Sequence, residues 1–333
     1  MDTVFITLVA VVVVALIFDY INGFHDAANA IATVVSTGVL PMRTAILMAA
    51  TMNLIGAFMG LKVADTVAKM VDPHLVSQVM VVAGVTGAIV WNLITWWFGI
   101  PSSSSHALMG GIIGAAVTKA GTHAVQVGNL QKTLMGLFIS PLAGFIIGFI
   151  AMIAITWAVR GMRPKTVNKA FRWLQMASAG FMALSHGQAD AQKTMGIITM
   201  ALIAYGSVDK AAGTPPTWVV ASCAVAMGLG TAAGGVRIIK TMGSKIIDLK
   251  PIHGFAAETA AAITLITAAQ LGAPVSTTHV ISSSIMGVGA SQRVSAVRWG
   301  VTTRIFYAWV LTIPISAAVG SLCYLALSAV LGP

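Results

Sequence analysis

The chain has 333 residues, 57% of them hydrophobic and only 8% charged, and its mean hydropathy is +0.90. A soluble domain carries about a quarter charged residues, so the composition excludes one and specifies an all-α polytopic protein of the lipid bilayer. The net charge of +10 reflects 19 Lys and Arg against 9 Asp and Glu. These bases sit in short loops between apolar segments, as the positive-inside rule expects, and that placement excludes nucleic acid as their partner.

In chain order, apolar segments are predicted at 3–37, 43–61, 76–98, 133–158, 174–205, 217–236, 254–272 and 305–331, with two short ones at 105–118 and 280–290. Asp2 stands where a secretory signal would carry a base, so the first segment reads as a membrane segment. That segment holds a polar cluster, Asp19, Asn22, His25, Asp26 and Asn29, around Gly23. Titratable groups at membrane depth are expensive and mark a functional site. The glycine predicts an interruption of the helix at Asn22–Gly23, and Gly187 predicts a second one in 174–205. Cys223 and Cys323 lie in apolar segments without metal spacing and read as core residues.

The two strongest basic loops, Arg160–Arg172 and Arg237–Lys250, lie two passes apart and are both placed in the cytoplasm. Carrying this along the chain puts thirteen bases inside and five outside (Lys62, Lys69, Lys119, Lys132 and Lys210), with Lys193 alone in a membrane segment. About ten crossings, about five per half, satisfy that asymmetry, and both termini come out extracytoplasmic. The halves also repeat. GFHDA at Gly23–Ala27 returns as GQADA at Gly187–Ala191, and PSSSSH at Pro101–His106 returns as PVSTTH at Pro274–His279. An odd number of crossings per copy inverts the second relative to the first. The expected organisation is therefore two inverted-topology repeats, 1–160 and 161–333, with broken helices or helical hairpins, as in secondary transporters.

The chemistry follows from the paired motifs. Pro101 and Pro274 suit helix starts, and the hydroxyls after them, Ser103, Ser104 and Ser105 with Ser276, Thr277 and Thr278, suit N-caps. A half-helix N-terminus offers free N–H groups and the positive end of a dipole, so two meeting across a pseudo-two-fold axis would surround a tetrahedral oxyanion. Buried carboxylates must be paired, protonated or bound to a cation. Asp26 with Asn29, and Asp190 near Gln192, offer oxygen ligands of the kind hard cations take. His25 beside Asp26, and His186 and Lys193 one turn from Asp190, fit a proton relay instead. His106 and His279 fit either donation to an anion or capping of neighbouring backbone, the structural role being favoured. Glu258 fits either a partner for a loop arginine or a transport role. A serine hydrolase built on Ser102–Ser105 and His106 is disfavoured, because adjacent helical residues diverge by roughly 100°.

GFHDAANA, SHGQADAQKT, PSSSSH and PVSTTH, in that order, closely resemble the inorganic phosphate transporter (PiT) family across essentially the whole chain. The resemblance implies an inverted-repeat symporter that imports inorganic phosphate with a coupling cation. It assigns phosphate binding to Ser103, Ser104, Ser105, Ser276, Thr277 and Thr278. It assigns cation coupling to Asp26, Asn29 and Asp190, the metal ligands where Na⁺ is bound, and His25, Gln192 and Lys193 join the coupling set from their places beside these aspartates. His25 and Ala189 stand where the family motif GxND has Asn, and Gln192–Lys193 stand where Ala–Asn would be. These departures resemble the bacterial low-affinity branch, which implies H⁺ coupling, phosphate taken partly as a neutral metal complex, and no cofactor. The resemblance further implies a homodimer in the bacterial inner membrane, and a cytoplasmic accessory protein at 160–172 is conceivable. Na⁺ coupling, or sulfate as substrate of the same fold, are the alternative readings.

Overall fold

The computed structural model describes residues 3–209 and 214–332. Asp2, Lys210 and part of the predicted 206–216 connector lie outside them, as does the side chain of Lys132. Among the described residues the fold is helical throughout. The first half comprises α1 (Thr3–Ser36), α2 (Met42–Gly56), α3 (Lys62–Ala68), α4 (Gln78–Phe98), α5 (Ser104–Ala120) and α6 (Val127–Val159). The second comprises α7 (Pro164–Tyr205), α8 (Thr217–Ala233), α9 (Val236–Ser244), α10 (Pro251–Gln270), α11 (Thr277–Gln292) and α12 (Trp299–Leu331). The series of lengths repeats: 34, 15, 7, 21, 17 and 33 residues, then 42, 17, 9, 20, 16 and 33. Even the proline inside α6, Pro141, has its counterpart in Pro314 of α12.

Packing repeats as well. Helix α1 lies against α8 and α4, and α7 against α2 and α10; α5 packs on α12, and α11 on α6. Exchanging the halves turns each of these pairs into another of the set. Equivalent helices α1 and α7 run antiparallel. As the chain advances from Asp19 on α1 to Thr37 just past its end, the side chains bonded to it on α7 run back from Thr194 to Gln175.

The expected interruptions at Asn22–Gly23 and Gly187 do not occur: α1 and α7 are continuous. The two glycines serve close approach instead. A Cβ on Gly23 would lie 2.5 Å from the Met227 carbonyl oxygen on α8, and one on Gly187 would lie 2.2 Å from that of Asn53 on α2. The breaks fall after Pro101 and Pro274, where Ser103 and Ser276 are extended and α5 and α11 begin, and between α8 and α9, which bend by 72°. Two short helices, α3 and α9, escape the sequence reading because neither is long enough to show an apolar run. The basic loop Arg160–Arg172 is shorter than expected. Pro164 starts α7 at its N1 position, as a fixed φ favours, so Lys165, Lys169 and Arg172 stand on helix.

Among the described residues, five helical stretches are long and apolar enough to cross a membrane: Val4–Ser36, Gln78–Phe98, Thr133–Val159, Pro251–Gln270 and Trp299–Leu331, with the bent α8–α9 pair as a sixth. Their outer faces carry exposed bulky apolar residues, among them Phe138, Leu142, Phe306 and Val310, the surface a multi-pass membrane protein presents to lipid.

Candidate substrate and cation site

The two Ser/Thr motifs come together at the centre of the bundle. Ser103 caps α5 by accepting from the His106 backbone N at 3.1 Å, and Ser276 caps α11 by accepting from the His279 backbone N at 3.2 Å. The helices start face to face: the His106 and His279 rings meet edge to face at 4.4 Å, and Ser105 Oγ donates to the Val275 carbonyl at 3.2 Å. Two positive helix ends therefore converge with their hydroxyls in one buried place. Ser102 to Ser105 and Ser276 to Thr278 are all at most 2% exposed.

Each hydroxyl next to a cap reaches across to α1 or α7. Ser104 Oγ donates to Asp26 Oδ2 at 2.6 Å, and in the other half Thr277 Oγ1 donates to Asp190 Oδ2 at 3.0 Å. The following residues repeat the relation: Asn29 Nδ2 donates to Thr278 Oγ1 at 2.9 Å, and Lys193 Nζ donates to Ser105 Oγ at 2.5 Å. Asn29 also donates to Thr277 Oγ1 at 3.1 Å, Thr278 Oγ1 to Asp26 Oδ1 at 3.4 Å, and Lys193 pairs with Asp190. The spacing of three residues from Asp26 to Asn29, and from Asp190 to Lys193, holds each pair on one helical face.

The histidines break the symmetry. His25 Nδ1 lies 2.6 Å from Asp26 Oδ1 while its Nε2 lies 3.0 Å from Thr95 Oγ1, and Ser102 Oγ donates to that same Thr95 oxygen at 2.8 Å. In the other half His186 sits one turn before Asp190, with Nε2 3.2 Å from Asp190 Oδ2 and Nδ1 3.1 Å from Asn53 Oδ1. Ligand atoms of Asp26, His186 and Asp190 all lie within 4.8 Å of one another, so the two half-sites share a place that could hold a cation.

Four expected residues take other roles. Gln192 points away: its Oε1 accepts from the backbone N of Val63 at 2.9 Å and Ala64 at 3.4 Å, capping the start of α3. The rings of His106 and His279 do not cap backbone. Both nitrogens of His106 and Nε2 of His279 have no hydrogen-bond partner among the described residues, and Trp309 stacks on His279 at 3.9 Å. Glu258 meets no arginine. It accepts from Thr33 Oγ1 at 2.5 Å, Gln175 Nε2 at 3.1 Å and Ser178 Oγ. Sequence reasoning missed Thr95 and Asn53, the second partners of the two histidines. Their polarity within apolar segments is the only signal they carry.

The sequence matches the phosphate transporter family over residues 22–320. A relative from Rhizobium meliloti, named "Probable low-affinity inorganic phosphate transporter", is 48% identical over 321 residues, covering 96% of each chain. One of the same name from Bacillus subtilis is 47% identical over 331 residues, covering 98% of this chain and 99% of its own. Among solved structures, one titled "The sodium-dependent phosphate transporter" superposes with a TM-score of 0.88 at 23% identity, covering 97% of this chain and 99% of that one; at that identity it establishes the fold. With matching sequence along nearly its whole length, this multi-pass membrane protein belongs to the phosphate transporter family.

Proposed function

We propose that the chain is a secondary active transporter that imports inorganic phosphate by symport with H⁺. One observation carries the reading: the hydroxyls positioned to receive an oxyanion are the same groups that satisfy the central carboxylates. Ser104 and Thr277 donate to Asp26 and Asp190. A bound phosphate claims those donors, and each carboxylate it strips is left buried without a partner, a penalty of about 1–3 kcal/mol or more for a charged group. A proton or cation arriving at Asp26 or Asp190 removes the penalty. Substrate and coupling ion are then bound together or not at all, which is what symport requires.

H⁺ is favoured over Na⁺ because His25 and His186 approach the two carboxylates and Lys193 already neutralises Asp190. The antiparallel pairing of α1 with α7 supports inverted-topology repeats divided near residue 160, about ten crossings, and alternating access by rocking of the halves. The bacterial inner membrane, extracytoplasmic termini, a homodimer, and a cytoplasmic partner at 160–172 complete the proposal.

The test is radiolabelled phosphate uptake into proteoliposomes, driven separately by an inward pH gradient and an inward Na⁺ gradient, with sulfate as competitor. Uptake on the pH gradient alone, undiminished by equal sulfate, is expected. Uptake only with Na⁺ would overturn H⁺ coupling, and competition by sulfate would overturn phosphate selectivity.

A further inference from the structure

Asn29 and Lys193 occupy the same place in the two halves, 164 residues apart and each three residues after its aspartate. Their nitrogens do the same work. Nδ2 of Asn29 donates to Thr278 at the start of α11, and Nζ of Lys193 donates to Ser105, the matching residue at the start of α5. What differs is the rest of the side chain. Asn29 is neutral and keeps an acceptor, Oδ1, that is buried and without a partner among the described residues. Beside Asp26 this unpartnered oxygen completes a pair of oxygen ligands, the chemistry a hard cation takes. Lys193 offers no acceptor. It places an ammonium against Asp190 instead.

Charge sharpens the difference. At the shared centre, Asp26, Asp190 and Lys193 bring two negative charges and one positive, all at most 2% exposed. One mobile cation or proton neutralises that set. With asparagine at both positions the set would carry two negative charges, and burial would demand two cations.

We propose that Lys193 is a tethered cation that fills the second-half counterpart of the Asp26–Asn29 cation position, so that the carrier takes up one exchangeable cation where a symmetric site would take two. The inference rests on the reading of the chain as a cation-coupled symporter. It makes Lys193 a determinant of coupling stoichiometry, and predicts that a single substitution opens a latent site for Na⁺.

The experiment compares wild type, Lys193→Asn and Lys193→Met as purified full chains. Thermal unfolding in detergent is followed as NaCl replaces choline chloride at constant ionic strength, and phosphate uptake into proteoliposomes is measured with and without a Na⁺ gradient. Na⁺ should raise the melting temperature of Lys193→Asn more than that of Lys193→Met: both substitutions strip Asp190 of its ammonium, but methionine supplies no oxygen ligand, and ligands that bind only the folded state stabilise it. Uptake by Lys193→Asn should gain a Na⁺ stimulation of roughly 5- to 150-fold, the range of ordinary thermodynamic coupling. The unfolding arm decides the matter even for a variant that no longer transports. Should Lys193→Asn respond to Na⁺ no more than Lys193→Met in both readouts, the tethered-cation assignment is overturned. A wild type driven by Na⁺ would overturn H⁺ coupling alone. The tethered cation would then stand if the Hill slope for Na⁺ rises from wild type to Lys193→Asn, and fall if it does not.

Discussion

Asp19 and Glu258 are both wholly buried carboxylates, yet they are held in opposite ways. Helix α1 links them. Asp19 is seven residues before Asp26, and Thr33, which donates to Glu258, is seven residues after it. At 1.5 Å per residue, each lies about 10 Å from the central site, one on either side. Glu258 is saturated by Thr33, Gln175 and Ser178, and Gln175 in turn accepts from Thr37 at 2.8 Å. Asp19 accepts from Thr194 alone, at 2.9 Å, and its Oδ2 has no partner among the described residues. Neither cluster is repeated in the other half. The positions matching Glu258, Gln175, Ser178 and Thr33 are Val85, Val11, Val14 and Ile197, and those matching Asp19 and Thr194 are Ala183 and Ala30. The saturated carboxylate braces α1, α7 and α10 together. The half-satisfied one has capacity left for a proton or a cation.

Removing Glu258 should break this comparison hardest. Glu258→Ala leaves the buried donors of Thr33 and Gln175 without an acceptor, at about 1–3 kcal/mol each, throws Ser178 back on the Gln175 carbonyl 3.1 Å away, and adds a void. A loss of several kcal/mol is a large share of a typical folding free energy. Little folded protein is expected by size-exclusion chromatography of the detergent extract; a monodisperse variant with an unchanged melting temperature would refute the brace. Glu258→Gln keeps shape and one carbonyl acceptor but turns an amide toward one of the donors. It should fold with a clearly lowered melting temperature, between the wild type and Glu258→Ala.

Asp19→Asn should sort differently. No donor cage is lost, so the melting temperature should hold or rise, since a poorly paired buried charge is replaced by a neutral group. Phosphate uptake should fall, and its dependence on the pH gradient should flatten. If Asp19→Asn lowers the melting temperature as much as Glu258→Gln, and leaves uptake intact, the two carboxylates are equivalent braces and the contrast fails.

These clusters also mark where the sequence stops being legible. Apolar runs located ten of the twelve α-helices among the described residues, because membrane depth favours long apolar segments, but they missed the polar first turns: α7 begins at Pro164, ahead of the predicted 174. The repeated PSSSSH and PVSTTH motifs predicted two capped helix ends, and Ser103 and Ser276 cap them. Gly23 and Gly187 misled, since a glycine that breaks a helix and one that admits a neighbouring backbone look alike in sequence. Gln192 sits beside the motif aspartate, yet its side chain leaves on another face and serves α3. The Glu258 cage was out of reach, because Gln175 and Ser178 lie about 80 residues away along the chain, and only the tertiary packing of α7 on α10 brings them there. The seven-residue rhythm Asp19, Asp26, Thr33 was the one local hint, a polar stripe on a single face of α1.

The smallest effect tests the contrast at its finest. Thr33→Val removes one donor of three from Glu258 and keeps the β-branched shape, so the carboxylate retains Gln175 and Ser178; a loss of about 1 kcal/mol is expected. Thr194→Val removes the single donor of Asp19 by an equally small change. In a structural setting the two substitutions should cost about the same. If Asp19 instead takes up a proton or cation during transport, losing Thr194 strips its charged form of all hydrogen bonding and favours the protonated form. Thr194→Val should therefore shift the pH profile of uptake toward higher pH with little change in melting temperature, while Thr33→Val lowers the melting temperature slightly and leaves the pH profile in place. Parallel melting and uptake measurements on the two variants separate the cases, and identical pH profiles would reduce Asp19 to a second brace.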